Sequence, residues 1–137
     1  FSQKELFELE IINTLMNYDV ELIVMAGWMK IVSPFFIKKF KNKIINIHPS
    51  LLPAYKGGSA IKDCLLNGSK ITGCSVHYVE EEVDSGSLII QAALSISNED
   101  DVDTLSKRIQ ILEHKILPHS ISHAGYLIRS DLRKVIS

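Results

Sequence analysis

Two short runs rich in apolar residues, each preceded by a segment with helical features, constrain the fold of this chain more than any other feature. Residues 22–26 and 43–48 have the length and composition of strands that are buried on both faces of a sheet. Leucines and isoleucines recur at near-helical spacing over residues 4–17, and Ser33 is placed as the N-cap of a second helix over residues 34–40. This alternation predicts an α/β fold with a mostly parallel sheet, flanking helices and right-handed crossovers.

The second half of the chain predicts a helix, a pair of strands and a final helix. Ser59 is expected to cap a helix that ends near residue 67, and the β-branched segments 72–79 and 88–96 are expected to pair as an antiparallel hairpin. A last helix, capped at residues 103–104, is expected to stop near residue 117, because Pro118 lacks the N–H that a helix interior requires.

Composition excludes several classes of protein. The 137 residues are 46% apolar and 23% charged, which indicates one globular domain over residues 1–137. A formal net charge of −1 gives no attraction to nucleic acid or to an anionic membrane. Cys64 and Cys74 are too few for a disulfide framework or a zinc motif, so we expect reduced thiols, a cytoplasmic location and no metal. Monomer and homodimer both stay open.

Asn46 and His48 are the polar residues that most clearly indicate a site. Alternate side chains of a strand share a face, so these two should point to one side while Ile45 and Ile47 point to the other. They stand at the carboxyl end of a predicted strand, where open α/β sheets bind ligands. Two prolines within residues 49–53 then enforce an irregular turn. A site is therefore favoured over the alternative of a hydrogen-bonded core histidine beside a turn-forming asparagine.

Asp84 lies in the acidic loop of residues 80–86, and one interpretation of this residue is a carboxylate that acts beside His48. A neighbouring negative charge favours the protonated imidazole, which can donate a hydrogen bond or a proton near neutral pH. Taken alone, the segment favours ordinary turn chemistry, because Asp-Ser-Gly is a common turn sequence. For His77, both a place in the same site and simple packing stay open.

Several segments together resemble the phosphoribosylglycinamide formyltransferases, a family of folate-dependent formyltransferases of purine biosynthesis. The resemblance runs from Phe1 to about His123, and the combination of its motifs is highly specific although each motif alone is not. The segments that carry it are residues 26–33, 46–53, 73–79, 84–86, 89–92 and 113–114.

The resemblance implies a Rossmann-like formyltransferase fold and the transfer of a formyl group from 10-formyltetrahydrofolate to the amine of glycinamide ribonucleotide. Asn46, His48 and Asp84 match the catalytic trio of the family, in which the first two would stabilise the oxyanion and Asp84 would keep His48 protonated. Glu113 and Pro49 match positions that contact the nucleotide substrate. The positions that match the folate-binding segments are Lys4, Met29, Lys30, Ile31, Val32, Asn46, Val79, Glu80, Glu81, Glu82 and Val83.

Two departures from the family pattern bear on these expectations. Lys4 and Lys30 stand where the family often has arginine, which weakens the case for bidentate carboxylate binding. The first strand and the glycine-rich phosphate loop of the family do not occur in this sequence, so we expect an N-terminally truncated catalytic domain that binds the nucleotide poorly.

Two alternatives stay open beside transfer to the nucleotide. A formyltetrahydrofolate hydrolase would use the same trio with water as acceptor, and a fragment without the phosphate loop would be non-catalytic. A methionyl-tRNA formyltransferase is disfavoured, because Pro49 follows His48 here and no added basic domain would grip tRNA.

Overall fold

The chain folds into a sheet flanked by helices. The computed structural model describes residues 2–27 and 32–136, with the backbone alone for residues 132, 133, 135 and 136. Its elements are α1 (Gln3–Asn17), β1 (Ile23–Met25), α2 (Pro34–Lys39), β2 (Ile44–His48), α3 (Ala60–Leu66), β3 (Ile71–Tyr78), β4 (Leu88–Ser95) and α4 (Val102–Ile136).

The sheet is mixed, with the strand order β1-β2-β3-β4 over the described residues. β1 and β2 are parallel, joined by a crossover that contains α2, whereas β2 and β3 and then β3 and β4 are antiparallel. The α/β class and the β3–β4 hairpin are confirmed. The expected mostly parallel order applies only to β1 and β2. After β2 the chain passes through α3 and re-enters beside the end of β2, so β3 runs back along it.

Helices cover both faces of the sheet. Consecutive residues of β2 point to opposite sides, so this strand contributes apolar side chains to both helix layers. Ile44 belongs to an apolar cluster with α1 and α2, while Ile45 packs against α4 on the other face. A third cluster packs α3 and α4 against β3 and β4. The fully or largely buried members of the three clusters are Ile12, Phe36, Ile37, Phe40 and Ile44; Ile45, Ile47, Val76 and Ala124; and Cys74, Leu105 and Ile109.

Three predictions about the ends and burial of elements need correction. β1 is not buried on both faces: Val24 is 36% exposed, because β1 is the edge strand of the described sheet and lacks a neighbour on one side. Ser59 occupies the N-cap position of α3 but its side chain makes no capping bond. α4 begins at Val102, where Asp101 accepts a hydrogen bond from the Thr104 N–H at 2.9 Å, so the cap lies two residues before the predicted one.

The predicted end of α4 at Pro118 is also wrong, because the helix continues to Ile136 with the proline inside it. Pro118 removes the hydrogen bond to the carbonyl four residues earlier. Packing on both sides offsets this loss, since Ile109 before the proline and Ala124 after it are both buried against the sheet. Over the described residues, no helix combines the length and apolar character that crossing a bilayer would require.

We expect Pro118→Ala to raise the free energy of unfolding by about 1–3 kcal/mol, because alanine restores the missing helical N–H and has the higher helix propensity. Chemical denaturation of the variant and the parent measures the difference. Lys115→Ala, at an exposed position in the same helix, is the control and should change stability little. A loss of stability in Pro118→Ala would mean that the packing of α4 depends on the proline itself.

Candidate active site

The turn that follows β2 is held on β3 and β4 by hydrogen bonds that converge on one hydroxyl group. The Ser75 hydroxyl donates to the Ser50 carbonyl at 2.7 Å and accepts from the Leu52 N–H at 3.1 Å. Gln91 Nε2 donates both to the Ser75 oxygen at 2.9 Å and to the Leu52 carbonyl at 3.0 Å. The irregular turn predicted after His48 is therefore fixed to the sheet by its own backbone.

The strand register brings the polar side chains of β2 and β3 to the same face of the sheet. Asn46 is paired across the strands with His77, and His48 with Ser75. Ile45 and Ile47, on either side of Asn46 in β2, are buried on the other face. The prediction that Asn46 and His48 point the same way is confirmed.

His48 is buried and has acceptors near both ring nitrogens. Its Nε2 lies 2.8 Å from the Tyr55 carbonyl, so this nitrogen carries the proton and donates to it. Its Nδ1 lies 3.6 Å from Asp84 Oδ2, which is longer than a hydrogen bond and leaves Nδ1 available to another oxygen. The same carboxylate oxygen accepts a hydrogen bond from the Gly57 N–H at 2.8 Å. Asp84 thus lies beside the imidazole, as expected.

The loop between β3 and β4 places Asp84 over the end of β2. Asp84 has a left-handed φ of 53°, which aspartate tolerates better than most residues. Gly86 lets the loop approach β3 closely, because a Cβ atom there would lie 1.7 Å from the Tyr78 carbonyl oxygen. The Asp-Ser-Gly turn and the carboxylate beside the imidazole are therefore two properties of one segment.

His77 joins the site as a neutral imidazole. Its Nδ1 donates to the Tyr78 carbonyl at 2.8 Å, and its Nε2 lies 3.4 Å from Asn46 Nδ2 and 3.7 Å from Asp84 Oδ1. Burial lowers the pKa of His77, and the charge of His48 lowers it further, against the opposite effects of the Tyr78 hydrogen bond and Asp84. With Nδ1 protonated, Nε2 is an acceptor and receives the Asn46 amide N–H.

These side chains open into a cavity of about 440 Å³. Lys4 is exposed in the first turn of α1 and does not line it. Met29, Lys30 and Ile31 lie outside the described residues. The predicted site residues that do line the cavity are Val32, Asn46, His48, Pro49, Val79, Glu80, Glu81, Glu82, Val83, Asp84 and Glu113. The lining residues that the sequence did not single out include Met25, Gly27, Ile37, Gly57 and Gly58.

The lining is acidic. Glu113 reaches the cavity from α4, and burial raises the pKa of its carboxyl group against the opposing charges of His114 and His48. Cys74, a buried residue of β3, has a thiol pKa raised to about 11, first by burial and then by the charge of Glu113, so the thiol is protonated at neutral pH. The described lining contains carboxylates and no lysine or arginine. Such a surface favours a ligand group that is cationic or donates hydrogen bonds.

Four residues that shape the site were missed by the sequence analysis. Ser75 precedes His77 by two positions on a predicted strand, so the two-residue period alone would have placed it on the same face. Gln91 lies opposite Ser75 in the hairpin register, which could have been derived only with the turn length known. Tyr55 and Gly57 act through backbone groups, and no residue type signals such a contact.

Comparison with known proteins places the chain among the formyltransferases. Residues 1–121 match the formyl transferase family. The chain is 42% identical over 121 residues to the phosphoribosylglycinamide formyltransferase of Bacillus subtilis, covering 88% of this chain and 62% of that protein. It is also 46% identical over 115 residues to the trifunctional purine biosynthetic protein adenosine-3 of Gallus gallus, covering 84% of this chain and 12% of that protein.

Solved structures with these names have the same fold. The phosphoribosylglycinamide formyltransferase of Streptococcus pneumoniae superposes with a TM-score of 0.85 at 30% identity, covering 90% of this chain and 68% of the other. The enzyme of Bacillus halodurans gives a TM-score of 0.83 at 39% identity, with 88% and 62% covered. The expected formyltransferase fold is confirmed, and the chain spans about three-fifths of the length of the bacterial relatives.

We expect His77 to make the stability of the fold depend on pH below its ordinary pKa of 6.5. Because the folded state lowers this pKa, the unfolded chain takes up a proton first as the pH falls. The contribution is therefore complete above about pH 6.5 and is lost below it. Wild type should lose more unfolding free energy than His77→Gln between about pH 7.5 and about pH 5. The exposed His119→Gln is the control; parallel pH curves for wild type and His77→Gln would contradict the expectation.

Proposed function

This chain belongs to the formyl transferase family, and from that premise we propose that it transfers the formyl group of 10-formyltetrahydrofolate to the amine of glycinamide ribonucleotide. Its partners in this proposal are those two small molecules, and its location is the cytoplasm. Its relatives carry the name phosphoribosylglycinamide formyltransferase or belong to purine biosynthetic proteins, which supports the choice of acceptor.

One observation carries the proposal: an amide, an imidazole and a carboxylate face one cavity at the carboxyl end of β2. Asn46 and His48 offer N–H donors on the same face of the strand, and Asp84 lies 3.6 Å from the His48 ring. Formyl transfer needs donors for a developing oxyanion and an acceptor for the proton of the attacking amine. The three groups supply both.

The reaction proceeds by direct attack. The amine nitrogen of the nucleotide bonds to the formyl carbon, and the carbonyl electrons move to the formyl oxygen. An Asn46 N–H and the Nδ1–H of a protonated His48 donate hydrogen bonds to that oxygen. As the bond between the formyl carbon and N10 of the folate breaks, Asp84 relays the proton of the amine to N10. The products are the formylated nucleotide and tetrahydrofolate.

From the chemistry of the lining, we assign each of the two substrates to a different part of the cavity. Val32 and Val79 supply apolar surface for the flat heterocycle of the folate, next to the acidic loop formed by Glu80, Glu81 and Glu82. Glu113 and Pro49 lie on the side that we assign to the nucleotide. The acidic surroundings favour the approach of an amine, whereas the phosphate of the nucleotide needs cationic or N–H groups other than these lining residues.

An assay of the 137-residue chain with 10-formyltetrahydrofolate tests the proposal. Formation of tetrahydrofolate that depends on glycinamide ribonucleotide supports it. Release of formate at the same rate without the nucleotide would identify water as the acceptor and a hydrolase instead. Binding of the folate with formation of neither the formylated nucleotide nor formate, at saturating concentrations of both substrates, would identify a non-catalytic chain.

Asn46→Ala should lower kcat by about 10²–10³-fold, because it removes one of the donors to the oxyanion. The KM for the folate should change little if the amide acts mainly in the transition state. Steady-state kinetics measure both constants, with the exposed Asn13→Ala in α1 as the matched control. An increase in KM with unchanged kcat would assign Asn46 to ground-state binding and contradict its proposed role.

Asp84→Asn should lower kcat by about 10²-fold or more, because an amide cannot accept the proton of the attacking amine. Its oxygen can still accept the hydrogen bond of the Gly57 N–H, so the loop should keep its place. Asp63→Asn, on the exposed side of α3, controls for the loss of one negative charge. Full activity of Asp84→Asn would exclude proton transfer through this carboxylate.

A further inference from the structure

Glu8 is a buried carboxylate that the proposed chemistry does not use. It lies in the middle of α1 with 6% of its surface exposed. Its Oε1 accepts a hydrogen bond from the Ser33 N–H at 2.8 Å, and its Oε2 accepts one from the Ser33 hydroxyl. Among the side chains that the structure describes, no basic group forms an ion pair with it. Two donors from one serine therefore offset the cost of burying this carboxyl group.

Ser33 connects the cavity-lining residue Val32 to α2. It is the N-cap of α2, where its oxygen accepts from the Phe36 N–H at 3.2 Å. Val32, directly before it, and Ile37, in the first turns of α2, both line the cavity. The contact with Glu8 joins positions 25 residues apart in the chain and fixes this segment to α1.

We propose that Glu8 is a positioning residue. By holding both the N–H and the hydroxyl of Ser33, it sets the distance between the cavity wall formed by Val32 and Ile37 and the catalytic groups on β2. The inference rests on the proposed function, because it assigns this wall to the folate. Val32 and Ile37 pack in one apolar cluster with Met25 and Val79, which also line the cavity, and an apolar surface suits a flat heterocycle.

The wall and the catalytic groups are fixed by different contacts. Ser75 and Gln91 hold the turn beside His48, whereas Ser33 is held from α1. A change at Glu8 should therefore move the wall and leave the geometry around His48 intact. Affinity for the folate should fall while kcat at saturating folate is retained.

Glu8→Gln is the test, because it keeps the size of the side chain and replaces one acceptor oxygen by an amide that cannot accept. Without ligand, NMR of the methyl groups should show shifts at Val32 and Ile37. The dissociation constant of 5-formyltetrahydrofolate, a stable formyl folate, should rise about tenfold. Ser33→Ala, which removes only the hydroxyl, should act in the same direction and covers the case in which Glu8→Gln does not fold.

Two controls separate positioning from a general loss of stability. Glu10→Gln makes the same change of charge at an exposed position of the same helix and should leave the dissociation constant unchanged. Ile12→Val weakens the α1–α2 cluster without touching Ser33. If it lowered stability as much as Glu8→Gln and weakened folate binding equally, Glu8 would have only a structural role and the inference would be overturned.

Failure of the inference can be distinguished from failure of the proposed function. If wild type did not bind 5-formyltetrahydrofolate at all, the assignment of the cavity to folate would fail, and the inference with it. If wild type bound it and Glu8→Gln bound it equally well, with unshifted Val32 and Ile37 methyl groups, the positioning role alone would be excluded.

Discussion

The attachment of the turn after β2 to the two neighbouring strands is the constraint on which the site depends. A segment with two prolines has few backbone donors of its own, so its shape must be imposed from outside. Ser75 imposes it by donating to one backbone carbonyl of the turn and accepting from one N–H, while Gln91 holds both Ser75 and Leu52. Because the turn brings the Tyr55 carbonyl to the His48 ring, this attachment also fixes the orientation of the imidazole.

The protonation state of His77 sets the orientation of Asn46. An asparagine amide can present either its oxygen or its NH₂ to a neighbour, and the two arrangements have opposite chemistry. The Tyr78 carbonyl holds the proton of His77 on Nδ1, and burial disfavours a second proton, so Nε2 can only accept. The Asn46 NH₂ therefore turns toward His77, and its second N–H is left to donate into the cavity. A buried histidine outside the trio thus determines that Asn46 is a donor.

Local features were predictable from the sequence and contacts between distant segments were not. The two-residue period placed Asn46 and His48 on one face, and Ser33 was placed correctly as the cap of α2. The contact of Asp84 with the Gly57 N–H joins residues 27 apart, and only the family resemblance brought that carboxylate to the site. The continuation of α4 through Pro118 was missed, because local propensity opposes it and only packing against the sheet offsets the lost hydrogen bond.

The charges of the described lining favour the reacting amine and disfavour the anionic ends of the two proposed substrates. The described lining is acidic, and a cluster of carboxylates repels the phosphate and the glutamate tail that the two proposed substrates carry. The same carboxylates are suited to an amine, whose proton must leave during attack. The amine and the formyl carbon of the proposed reaction therefore meet among hydrogen-bond acceptors, at a part of the described lining that does not favour anions. In the proposed reaction Asp84 then takes up the proton of the amine, and groups other than the described lining residues bind the anionic ends of the two substrates.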